Sequence, residues 1–307
     1  MNEINKLPSL DDHIAQKERE EFLIVQAKIT KETKKTIEIV IDDNPITAST
    51  IAERRVISDP KPENGSKEDI RFPAGGLGII VKTPGQYHLM TVLRASKSSF
   101  DRHLNTFSGL GCVSEITDPE RTAIRKGLED LIIIAKNKII IPQFKNNPFS
   151  RIDTKAIIRD GATLYKETQK LQTEEAPAHF ISLPNEKEFK ITWRGSEYTY
   201  QGLPARDPGT RGLDFIKIMA IEFGEKLEDL KFLDGRIIGG RNPLNRDIYA
   251  LELDGAFKWT GKISAGWQWN KNTQDYQYFI PPEKIKLPLT PILKTIITEV
   301  ADYGNKA

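Results

Sequence analysis

The sequence predicts a protein of the α/β class. Three observations lead there: paired β-branched runs split by turn residues at 22–41 and 75–94, a capped amphipathic helix over 119–134, and later strand runs at 189–200, 214–223 and 246–253. At 307 residues the chain suits one core with additions, because single cores stop growing at about 250–300 residues.

The first element is a hairpin. Residues 22–41, FLIVQAKITKETKKTIEIVI, place two apolar alternating runs around a polar KETKK turn. Residues 58–69, SDPKPENGSKED, combine Pro, Gly and charge without apolar periodicity and form a linker, so a boundary falls near 70. A second hairpin follows: GGLGIIV and HLMTVLR, separated by KTPGQY, whose Pro-Gly pair suits a tight turn.

A glycine-containing loop, FSGLGCVSEIT, leads into the helix. Asp118 can cap it, Pro119 suits its first turn, and Ile124, Leu128 and Leu131 make one apolar stripe opposite Arg125, Lys126, Glu129 and Asp130. Beyond it lie a short strand, KIIIPQF, and a polar helix, AIIRDGATLYKETQKLQTEE, read as an insertion at about 145–190. Strand character returns with FKITWRGSEYTY, where RGSE supplies the turn, and with DFIKIMAIEF and RDIYALEL. The segment from Pro291 to Tyr303 is amphipathic and helical. The organisation expected is an N-terminal β extension and linker (1–70), a main domain (71–280) and a C-terminal helix (281–307).

Composition narrows the partners. Lys plus Arg number 45 against 43 Asp plus Glu, so no global field attracts nucleic acid or an anionic membrane, and any anion is held locally. The single cysteine, Cys112, excludes an internal disulfide framework and a Cys-rich zinc site. The first 22 residues lack the apolar run of a signal peptide, and the longest apolar stretches fall well short of the roughly 18–20 residues of a membrane span, so the expectation is a soluble cytoplasmic protein. His13, His88, His103 and His179 show no ligand spacing.

Hairpin, glycine loop and acidic helix together resemble the core of the Nudix hydrolase family. Aligned to the family's box, Gly111 takes the glycine, Pro119 and Glu120 match a common helix start, Arg125 takes the arginine, and Glu129 and Asp130 take the acidic pair. Thr117 stands where a glutamate belongs, Lys126 where the first glutamate of the arginine motif belongs, Gly127 at the aliphatic position and Ile132 at the late glycine. Shifting the loop so that Gly109 and Glu115 take the first two positions restores one glutamate.

The resemblance implies an α/β/α sandwich around a mixed sheet, and Mg²⁺- or Mn²⁺-dependent cleavage of a nucleoside diphosphate linked to another group. It makes Arg125, Glu129 and Asp130 the catalytic set, with Glu129 and Asp130 as metal ligands completed by Glu222 or Glu225 downstream, because hard divalent cations need several carboxylate oxygens. It places Arg94 and Gly111 against the substrate. Lys126 opposes that chemistry by putting a cation where a ligand carboxylate belongs. A second reading follows: a catalytically inactive module that binds a nucleotide-type small molecule or a protein partner.

Plainer readings stand beside these. Arg125 and Glu129 at i, i+4 also describe a surface ion pair, and Arg94 a solvated strand end. Arg236, Arg241 and Arg246 flank a glycine turn that either holds an anion or is simply charged. Trp259, Trp267, Trp269, Tyr276 and Tyr278 fit strand residues covering a core better than a base-stacking surface.

Overall fold

The computed structural model describes residues 23–24, 27–41, 46–47, 70–93, 105–106, 131–144, 172–207, 212–233, 247–253, 258–259, 266–270, 275–279, 289–301 and 303–306. The strands of the first half are β1 (Leu23–Ile24), β2 (Ala27–Glu32), β3 (Thr36–Ile41), β4 (Ile46–Thr47), β5 (Ile70–Thr83), β6 (Gln86–Leu93), β7 (Asn105–Thr106), β8 (Ile132–Ala135) and β9 (Lys138–Phe144). Those of the second are β10 (Gln172–Ile181), β11 (Lys187–Trp193), β12 (Ser196–Asp207), β13 (Gly212–Glu222), β14 (Leu230–Leu233), β15 (Asp247–Glu252), β16 (Lys258–Trp259), β17 (Gly266–Asn270) and β18 (Asp275–Phe279). Helices α1 (Pro291–Val300) and α2 (Tyr303–Lys306) follow. Among the described residues 14 strands form one large mixed sheet, β1 with β4 and β17 with β18 form two-stranded sheets, and helices are few.

Turn chemistry sets the local pairings. Pro84-Gly85 closes β5 onto β6, with Gly85 at φ 76°, and Ile80 faces Leu89 across the hairpin. Arg194-Gly195 closes β11 onto β12 with φ of 49° and 76°; Arg194 accepts a left-handed conformation that costs a non-glycine residue free energy, and its guanidinium lies 4.8 Å from the Trp193 ring centroid.

The central strands β5 and β13 run parallel over eleven register pairs, Phe72↔Gly212 to Lys82↔Glu222. Parallel strands covered on both faces are apolar almost throughout, which is why GLGIIV and FIKIMAI show little alternation. Following the pairings from β13 through β12, β11, β3, β2 and β5 leads back to β13, so six strands close into a barrel. Its interior holds Ile37, Ile39, Phe189, Ile191, Leu213 and Phe215. Phe189, Tyr200 and Phe215 pack there with ring centroids 4.4–5.4 Å apart.

Two more clusters flank the shared strands. On one side, β8, β9, β10 and β14 curl over β5 and β13, enclosing Leu77, Met219, Ile221, Ile133, Ile140 and Phe232. On the other, α1 lays Leu293, Ile296, Ile297 and Val300 against Ile80, Leu203, Ile216 and Ile218. Thr290 caps this helix by accepting a hydrogen bond from the Leu293 N–H at 3.1 Å, and Pro291 occupies its first turn, where a missing N–H costs nothing. A Cβ on Gly78 would stand 2.5 Å from Ile218 Cδ1, so the glycine admits the layer beneath the helix. No helix among the described residues is long and apolar enough to cross a membrane.

The structure corrects two element assignments. The helix expected over 119–134 does not reach 134: Ile132–Ala135 is β8, paired with β9 on one edge and β14 on the other. Three consecutive isoleucines favour extended backbone, and burial on both faces removes the alternation that marks a half-exposed strand. The polar helix expected to 175 is overturned at its last four residues, because Gln172–Ile181 is β10, parallel to β9 and inside the range expected for the insertion. Pro177 lacks the N–H an interior helical turn requires, while Ala176 and Ala178 alternate inward with period two.

Candidate functional site

Of the residues the sequence singles out as a site, the structure describes Glu222 and its alternative Glu225. Arg94, Gly111, Arg125, Glu129 and Asp130, together with Lys126 and Thr117, lie outside the described residues. Glu222 ends β13 beside Lys82 of β5, and its Oε1 receives the Lys82 ammonium at 3.4 Å. Lys82 also lies 5.5 Å from the Tyr87 ring centroid. Hydrogen bonding with Tyr87 is the main cause raising the Lys82 ammonium above its ordinary value, and the Glu222 charge adds to it.

The surroundings of this pair are aromatic. Tyr87 meets Tyr303 edge to face, with centroids 5.3 Å apart and planes at 88°, and the Tyr303 hydroxyl lies 3.2 Å from His179 Nε2. Burial is the main cause that raises the Tyr303 hydroxyl above its usual value. A Cβ on Gly304 would stand 2.0 Å from the Leu253 carbonyl oxygen, so only glycine lets the C-terminal turn approach β15 this closely.

Of the three carboxylates that the resemblance assigns to a divalent cation, the described residues include Glu222, while Glu129 and Asp130 lie outside them. The cluster at Glu222 brings together one carboxylate, one ammonium, two phenols and an imidazole, whereas Mg²⁺ takes an octahedral shell of oxygen ligands. Glu225, the other downstream acid, pairs with Lys136 at 3.7 Å. Among the described residues no group of three His, Cys, Asp or Glu side chains is placed to hold a metal ion.

A second polar cluster, which the sequence does not reveal, lies at one end of the barrel. Glu32 ends β2, and its Oε1 accepts from Lys187 Nζ at 2.8 Å while its Oε2 accepts from Arg206 Nη2. Lys187 also donates to the Thr33 carbonyl at 3.0 Å. These residues are 155 and 174 positions apart in the chain, and β2 and β12 stand on opposite sides of the six-strand circuit, so the Glu32–Arg206 contact spans the barrel end. Burial works to raise the Glu32 carboxyl, but the hydrogen bonds from Lys187 and Arg206 outweigh it and hold the carboxyl below its ordinary value.

A buried ion pair adjoins this end. β13 pairs β12 over 212–216 and β10 over 218–221, leaving Lys217 at the fork. Lys217 Nζ lies 3.6 Å from Glu186 Oε2, with side chains 10% and 11% exposed. Glu186 Oε1 is buried without a hydrogen-bond partner.

The two clusters belong to a β-rich protein with a closed barrel and a helical cap. Compared with known protein families, with curated proteins and with solved structures, the chain matches none.

Proposed function

We propose that this protein is a binding module for a nucleotide-type small molecule rather than a metal-dependent pyrophosphohydrolase. The observation that carries the reading is the Lys82–Glu222 pair: an ammonium sits on the carboxylate that hydrolysis would assign to a cation. A lysine stands at a ligand position of the resembled box as well, at Lys126, so both ends of the expected metal site carry a positive side chain. A binding role needs neither the α/β/α sandwich expected over 71–280 nor the helical insertion expected at about 145–190.

The test pairs ligand-dependent thermal stabilisation with a phosphate-release assay, each with and without Mg²⁺ or Mn²⁺. A ligand at 100 times its dissociation constant stabilises the folded state by about 2.7 kcal/mol. Stabilisation by a nucleoside mono- or diphosphate without metal and without turnover is the expected result. Metal-dependent phosphate release abolished by Glu129→Gln would establish hydrolysis instead.

A further inference from the structure

We infer that the barrel end lined by Glu32, Lys187 and Arg206 is an oxyanion-binding mouth, in which the Glu32 carboxylate holds the position that a ligand phosphate takes. This deepens the binding-module reading and rests on it. The geometry is that of a captured anion: one carboxylate oxygen takes the Lys187 ammonium at 2.8 Å and the other takes the Arg206 guanidinium. A phosphate offers the same two acceptors and another besides, and guanidinium plus ammonium is a common donor set for it.

Three features separate the mouth from an ordinary surface ion pair. Lys187 is only 18% exposed, so its charge is partly withdrawn from water, where an anion is attracted more strongly than at a solvated lysine. Two cations, Lys187 and Arg206, converge on the single carboxylate of Glu32, and Lys187 directly follows Glu186 in the chain. The third feature is the unpartnered Glu186 Oε1, a buried acceptor that a hydroxyl or amino group of a ligand would satisfy. Glu32 can leave: its side chain is 34% exposed, and β2 carries a register shift between Ile29 and Lys31 just before it.

The experiment is calorimetric titration of the full chain with inorganic phosphate, adenosine 5′-monophosphate and adenosine at low ionic strength, on wild type, Glu32→Gln, Lys187→Met and Arg206→Met. Removing the internal competitor should tighten phosphate and monophosphate binding by about tenfold or more in Glu32→Gln, and removing either cation should weaken it by a similar factor. Adenosine alone should not respond to these substitutions. If Glu32→Gln does not fold, the stabilisation of wild type by phosphate, lost in Lys187→Met and Arg206→Met, carries the test. Folded variants with wild-type phosphate affinity overturn the mouth. Monophosphate binding that no variant alters overturns the mouth and leaves the binding module standing, whereas metal-dependent turnover without simple binding removes both.

Discussion

Lys217 and Glu186 meet at 3.6 Å at the point where the edge of β13 passes from β12 to β10. The strand keeps one continuous neighbour, β5, and exchanges the other at this residue. Glu186 comes from the connection between β10 and β11, so the pair ties the curled sheet to the barrel.

Removing one member of that pair should cost far more than removing both. Lys217→Met strands the Glu186 carboxylate in a dry site, with an expected loss of about 3–5 kcal/mol, whereas Lys217→Met with Glu186→Leu should recover much of it. Denaturant unfolding of both single variants and the double variant measures the coupling; additive losses would show that the two charges act independently.

His88 makes stability depend on mildly acid pH. It is fully buried on β6, and desolvation lowers its pKa to about 4, below the unfolded value near 6.5. The unfolded chain therefore binds the extra proton first: stability is complete above about pH 6.5 and falls by about 3 kcal/mol as pH drops towards 4. Chemical denaturation between those pH values should show this slope in wild type and a flatter one in His88→Leu.

Glu32 acts lower on the pH scale. Its carboxyl is depressed in the folded state, so its contribution is present above the unfolded carboxyl value and is lost as pH falls through the folded one. Glu32→Gln should lower stability at neutral pH and remove that acid-side loss, with added phosphate restoring part of the neutral-pH stability. Thermal unfolding of the two proteins from neutral to acid pH, with and without phosphate, reads both effects.

Phe215 anchors the barrel. It is fully buried between Phe189 and Tyr200, and Phe215→Ala should cost about 3–5 kcal/mol through lost burial and the cavity left behind. Val40, 42% exposed on β3, is the control: Val40→Ala should shift stability by about 0.5 kcal/mol or less. Equal losses would mean that the barrel interior is not a stabilising core.

The sequence by itself determined the local elements whose causes are local. Pro84-Gly85 and Arg194-Gly195 mark hairpin turns, the amphipathic run from Pro291 marks a helix, and DFIKIMAIEF marks a strand. Glu222 was legible as a strand-end acid, but its partner was not, because Lys82 lies 140 residues away and meets it only through the β5–β13 register. Local signals also misled where two propensities met: the apolar spacing of Ile124, Leu128 and Leu131 runs without a break into isoleucines that form β8, and the helix-forming QTEEA hides a strand fixed by β9 beside it.

Only the tertiary structure decided that the strands close on themselves, and with that closure it created the mouth at Glu32, Lys187 and Arg206. Each of these residues is an ordinary charged strand-end residue in the sequence. Hydrogen bonds between β3 and β11 and between β5 and β13 join segments more than a hundred residues apart, and no periodicity within a short window records such pairings. Charge balance over the whole chain told of no anion site for the same reason: what attracts an anion is the local excess that folding assembles.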